Sequence, residues 1–203
     1  GTTTLFAALN ILDGSVIGPG ETFSFNAPVG TWSRDKGYRR APVSFGGLLV
    51  DSWGGGVCQT SSTLYNAALL AGLEVVERHR HHYAPTYIPP GRDAAVAYPN
   101  IDLKLRNPFD FPVTINGSVT PSGVIVDIVG ARRPIAGVSV EQRVAGVTRP
   151  EEIVIGSGRY GRVRNPGHTG FNVETYRVVG DMRELLSVDN YPVMSKVVEY
   201  RGE

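Results

Sequence analysis

Glycine and proline punctuate this chain too closely for long helices: 25 glycines and 14 prolines are spread over 203 residues. Each tends to end or bend a regular element, because glycine opens backbone conformations closed to other residues and proline removes a donor. The spacing predicts many short strands joined by turns. Two segments escape the punctuation. From Thr2 to Leu12, the residues Leu5, Ala8, Leu9 and Leu12 fall at helical spacing, with threonines as caps and Gly14 just beyond. After Gly54-Gly55-Gly56, the residues Leu64, Ala67, Ala68 and Ala71 fall at i, i+3, i+4 and i+7, with Gly72 placed to stop the helix.

Between these helices the pattern is short: Val16-Ile17, the Pro19-Gly20 turn, alternation through Thr22 to Phe25, then Gly46-Gly47 before Leu48 to Val50. Leu73 to His79 reads as one strand, followed by a loop marked by Pro85, Pro89, Pro90 and Gly91. Ile101 to Leu105, Val113 to Ile115 and Val124 to Ile128 read as a meander with a tight turn at Pro121-Ser122-Gly123. Arg132-Arg133-Pro134 reads as a boundary, since alternation restarts at Val138 to Val140, Ile153 to Ile155, Val173 to Val178 and Val197-Val198. The expected fold is α+β: mostly antiparallel strands with two short helices, the second carrying Cys58 at its N-terminus. Residues 1–134 form the main domain, and residues 135–203 a small all-β C-terminal appendage.

The net charge of +1 lacks the concentrated basic face that phosphate neutralisation needs, so no nucleic-acid partner is expected. A chain of this length buries a sufficient core without staples, and one cysteine permits no internal disulfide. No apolar run is long enough to span a membrane, so membrane attachment would come only through a segment absent from this chain.

Cys58 is the only cysteine, and it follows the three glycines at a helix start. Unpaired N–H groups and the positive dipole end there favour a thiolate, the reactive form. Gly54, Gly55 and Gly56 let a substrate carbonyl approach without meeting a Cβ, and the N–H groups of Cys58 and Gln59 are candidates for an oxyanion hole. The competing reading is a buried, inert cysteine in a glycine-rich turn. A cysteine nucleophile needs an imidazole to exchange its proton, and three of the four histidines sit in Arg78-His79-Arg80-His81-His82. On an extended stretch His79 and His81 face one side and His82 the other. His168, after Asn165-Pro166-Gly167, reads as a solvated turn histidine. The imidazole's orienter is Asp93 by first choice, with Asp102 and Asn107 as alternatives. A zinc site of Cys58, His79 and His81 would lack a fourth ligand, so no metal and no cofactor is expected.

The residues Gly54 to Gln59, Leu64-Tyr65-Asn66, Glu77-Arg78-His79 with His81, and Gly91-Arg92-Asp93-Ala94 together resemble the VanW family. The likeness extends back through Pro19 to Asn26 and forward through Asp102, Asn107 and Gly170 to Val173. Arg80 and His82 depart from the family pattern, standing in place of proline and a small polar residue, as does Ala95 in place of threonine. The resemblance implies an exported or membrane-anchored protein of the bacterial cell envelope, hence an extracytoplasmic location and a link to vancomycin resistance. It further implies L,D-transpeptidase chemistry on peptidoglycan stem peptides, with Cys58 as the acyl-carrying nucleophile and His79 and His81 as the paired histidines. Arg78, Arg80 and Arg92 are then candidates to pair with stem-peptide carboxylates. Water as acceptor would make the same site an L,D-carboxypeptidase. The rival from another class is a non-catalytic peptidoglycan-binding scaffold whose thiol is incidental.

Overall fold

A computed structural model describes the chain apart from Gly1, Gly37, Arg39, Gly46, Gly47, Ser122, Pro134 and Glu203, with residues 2–6 and 41–52 described by their backbone. In order, the elements are α1 (Thr2–Leu12), β1 (Ser15–Ile17), β2 (Thr22–Ser24), α2 (Asn26–Val29), β3 (Arg40–Phe45), β4 (Leu48–Trp53), α3 (Val57–Ala71), β5 (Glu74–Glu77) and β6 (Lys104–Arg106). Then come β7 (Val113–Thr120), β8 (Gly123–Gly130), β9 (Val138–Thr148), β10 (Glu152–Ile155), β11 (Tyr160–Asn165), β12 (Gly170–Val179), β13 (Met182–Tyr191) and β14 (Lys196–Arg201). The described elements are mostly antiparallel strands with few helices, and the class is α+β.

Helices α1 and α3 pack against each other and against the sheet β1-β7-β8. Ala8, Leu9 and Leu12 of α1 and Leu64, Tyr65, Ala68 and Leu69 of α3 supply the buried faces, joined by Ile17, Val113 and Ile115. Each fully buried Leu or Ile there contributes about 1.5–3 kcal/mol. Gly72 ends α3 in the left-handed conformation at φ 86°, and Leu73 N–H closes back on Ala68 O at 3.0 Å. The chain then turns into the sheet β2-β6-β5, whose edge lies beside the start of the histidine-rich segment. Residues 138–201 form two three-stranded sheets, β13-β12-β9 and β10-β14-β11, in which β10 and β14 run parallel.

Four elements differ from the sequence reading. Instead of two helices, three α-helices occur among the described residues, because Asn26–Val29 forms a single helical turn inside the stretch read as strands. Its first N–H is accepted by Asp102 Oδ1 at 2.9 Å, from a residue far along the chain, and Ala27 N–H is accepted by Ser24 Oγ at 3.1 Å. Pro28 sits in this first turn, where its missing donor costs nothing. The strand read over Leu73 to His79 stops at Glu77, and His79 makes only an isolated bridge to Ala95. β11 and β13 were not foreseen as separate strands. Gly46-Gly47, Ser122 of the tight turn and Pro134 of the boundary lie outside the described residues.

Candidate active site

Cys58 is the second residue of α3, half-buried, with its Sγ 3.5 Å from Val96 O. The approach to the helix needs glycine. Gly54 and Gly56 sit at φ 84° and 97°, and a Cβ on Gly54 would strike the Trp32 ring. Gly54 and Gly55 are buried and Gly56 is half-buried, so Gly54 shapes the turn under Trp32. At the helix start Val57 N–H is accepted by Gly54 O, and Gln59 N–H by Gly56 O, both at 3.0 Å. The second of these corrects the expected oxyanion pair, because Gln59 N–H is engaged by the tight first turn. Cys58 N–H meets no acceptor among the described residues.

Side chains one and two turns further along α3 fasten the opposing segment. Ser61 Oγ donates to Ala94 O at 2.6 Å, Ala94 N–H donates to Ser62 Oγ at 2.9 Å, and Asn66 Nδ2 donates to Arg92 O at 2.7 Å. The helix that carries the thiol thereby sets the position of Asp93. Ser61 and Ser62 are buried hydroxyls, and their i+3 and i+4 spacing from Cys58 is the sequence signal that puts them on the thiol's side of α3.

Asp93, with a side chain entirely shielded from solvent, accepts from both His81 N–H, at 2.7 Å, and His81 Nδ1, at 2.6 Å, through its Oδ2. Cys58 is the second group whose side chain favours the charged ring. Burial alone would push the imidazole down. The bonds to Asp93 and Cys58, with the charges of both, outweigh it and raise His81 to about 9. Asp93 feels the same desolvation, which pushes its carboxyl up, yet the bond from His81 and the charge of Arg78 hold it below its usual range. Tyr87 was not singled out from the sequence. Its hydroxyl lies 3.4 Å from His81 Nε2, while its ring is 44% exposed, so it stands at the mouth of the site.

The remaining candidates separate clearly. His79 Nε2 lies 2.9 Å from Glu77 Oε1 at the surface, so the two histidines do not converge. Asp102 accepts from Ser24 Oγ, Asn26 N–H and Leu103 N–H, and Asn107 holds Ile17 O, Phe111 O and Phe109 N–H, so both alternatives to Asp93 serve backbone structure instead. Arg78, expected to meet a substrate carboxylate, is consumed inside the fold: its Nη1 pairs bidentately with Asp189 at 2.6 and 2.7 Å, and its Nε donates to Asp93 O at 2.7 Å. Arg92 Nε donates to Asn66 Oδ1 at 2.5 Å and faces no carboxylate among the described residues. Arg80 donates to His81 O at 2.8 Å and covers the Tyr191 ring. His168 is half-buried and stacks on Tyr83 with centroids 5.2 Å apart, rather than standing free in solvent. Among the described residues no cluster of His, Cys, Asp and Glu is arranged to hold a metal ion.

Residues 2–129 match the family model described as VanW like protein. The chain belongs to the VanW family. It is 42% identical over 117 residues to Uncharacterized protein YoaR of Bacillus subtilis strain 168, a match covering 58% of this chain and 39% of that protein. It is 31% identical over 134 residues to Vancomycin B-type resistance protein VanW of Enterococcus faecalis strain ATCC 700802 / V583, covering 64% of this chain and 49% of the other. The chain thus aligns with less than half the length of either relative. No solved structure matches it. The family region carries Cys58, His81 and Asp93, whereas Asp189 and Tyr191 lie beyond it.

Proposed function

We propose that this chain is a cysteine acyltransferase of the L,D-transpeptidase type, acting outside the cytoplasm on peptidoglycan stem peptides. The observation that carries the reading is the 2.6 Å contact from Asp93 Oδ2 to His81 Nδ1, on an imidazole whose charged form the Cys58 side chain also favours. The substrate class follows the VanW membership and a relative named for vancomycin resistance.

In the first step the Cys58 sulfur attacks a stem-peptide carbonyl carbon, and the amide C–N bond breaks. His81 gives its Nε2 proton to the departing D-amino acid amine, and a thioester remains on Cys58. In the second step the amine of another stem attacks the thioester carbon, the C–S bond breaks, and the proton of that amine returns to His81. Cys58 N–H faces the developing oxyanion, and the Tyr87 hydroxyl stands beside the proton-carrying nitrogen. Arg92, which faces no carboxylate among the described residues, is the cation suited to hold a stem-peptide carboxylate. The proposed division into residues 1–134 and 135–203 is supported by the all-strand character of the described second part.

Incubation with a disaccharide-tetrapeptide, followed by intact-mass measurement, tests this. The expected result is an acyl adduct on Cys58 that is absent from Cys58→Ala. Terminal-residue release that persists in Cys58→Ala overturns the proposal. Release without any second stem joined assigns the site to a carboxypeptidase, and unchanged sacculus binding with no adduct assigns the chain to the scaffold class.

A further inference from the structure

We propose that strands β12 and β13, outside the family-matched region, complete the candidate site, with Tyr191 and Asp189 as positioning residues that fix the Asp93 carboxylate against His81. This rests on the proposed role of Cys58, His81 and Asp93. A carboxylate turns easily about its last torsion, so a single partner on one oxygen does not define its plane. Asp93 has partners on both. Oδ2 faces His81, and Oδ1 accepts from the Tyr191 hydroxyl and, at 3.0 Å, from Arg78 Nη2. Tyr191 is itself held, because its oxygen accepts Gly91 N–H at 2.9 Å and its side chain is buried. Arg78 is aimed by Asp189, whose two oxygens take Nη1, while Ser187 Oγ donates to Asp189 Oδ2 at 2.9 Å.

The backbone of the Gly91–Asp93 segment is pressed onto the same strands. Thr175 Oγ1 donates to Gly91 O at 3.1 Å, and Gly91 sits at φ 87°, where any Cβ would collide with Thr175. One side of the segment is thus clipped to α3 and the other to β12 and β13. The groups facing this unit are Cys58 and Tyr87 at His81, Arg78 and Tyr191 at Asp93, Asp189 and Tyr65 at Arg78, and Arg80 against His81 O and the Tyr191 ring. Arg78 and Asp189 are nearly excluded from solvent, with side chains 7% exposed. Burying such a pair costs desolvation that well-packed apolar residues would avoid, so its place behind a catalytic carboxylate fits orientation better than stability.

Tyr191→Phe is the decisive variant, because it changes no charge and keeps the packed ring. Ring NMR of the full chain follows two signals: the His81 titration, and the downfield proton between His81 Nδ1 and Asp93. The expected result is loss or broadening of that proton signal and a fall of the His81 midpoint by about one pH unit or more. Turnover should fall with little change in KM. Asp189→Asn should lower the midpoint in the same direction, since Arg78 then bears on Asp93 alone. Should that variant not fold, Tyr191→Phe decides by itself. A folded Tyr191→Phe protein with the wild-type midpoint and proton signal overturns the inference. The readouts are independent of turnover: absence of an acyl adduct on the wild type with a shifted midpoint removes the acyltransferase reading and leaves the positioning role. A wild-type midpoint and proton signal in a Tyr191→Phe protein that still forms the adduct removes the positioning role alone.

Discussion

Replacing Asp93 by asparagine removes one negative charge at the point where four donors converge and leaves the side chain's shape almost unchanged. Its effect on His81 follows from the competing influences there. Burial works against the imidazolium, and the bond to Asp93 is the largest influence in its favour. His81 stands at about 9 against an ordinary 6.5, a net preference for the charged ring on the order of 3 kcal/mol. Without the carboxylate, burial is opposed by Cys58 alone among these influences, and the ring should titrate well below its wild-type midpoint. The sign of the stability effect is fixed by the direction of that shift. Because the folded state holds the proton more tightly, His81 contributes fully below about pH 6.5, and the contribution is lost as pH rises through about 9. Wild-type melting temperature should therefore decline across that window, and the decline should vanish in Asp93→Asn. Arg78 keeps Asp189 as a partner, so the variant should lose only about 1–3 kcal/mol and remain folded. Turnover should drop on the order of 10³-fold as the ring loses its orientation and its proton. Histidine-selective NMR titration measures the first effect directly. A folded Asp93→Asn protein whose His81 still titrates near 9 would refute the electrostatic account of the site.

Gly54→Ala forces a Cβ into the Trp32 ring at a positive φ, and should destabilise the protein by about 1–3 kcal/mol in chemical denaturation while slowing alkylation of Cys58. Asn107→Ala removes three buried hydrogen bonds that join Ile17, Phe109 and Phe111, and should cost about 2–4 kcal/mol without moving the His81 titration. His79→Ala severs only a surface pairing with Glu77, so adduct formation on Cys58 should persist, whereas His81→Ala should abolish it in the same mass measurement.

Local patterns foretold much of this architecture because they are enforced locally. Helix α1 and helix α3 follow from 3.6-residue periodicity, and the stop at Gly72 follows from the need for a left-handed residue, which no distant contact supplies. Hairpin β7–β8 likewise follows from alternation on each side of a turn. The helical turn at Asn26–Val29 escaped notice because Asp102, remote in sequence, accepts its first N–H. Arg78 was assigned to a substrate carboxylate, since the sequence cannot reveal that Asp189 reaches it from the other end of the chain.

The sequence by itself determined the residue types that meet at the candidate site: a lone cysteine behind glycines at a helix start, a histidine pair and a short list of orienters. Those choices are written in composition and spacing. Which histidine faces the sulfur and which carboxylate holds it were decided by tertiary structure alone. Such choices depend on distances set by packing, through Ser61, Ser62 and Asn66 on one side of Asp93 and Tyr191 on the other. A hydrogen bond requires its partners within about 3 Å, and only the folded chain brings residues so far apart in sequence to that separation.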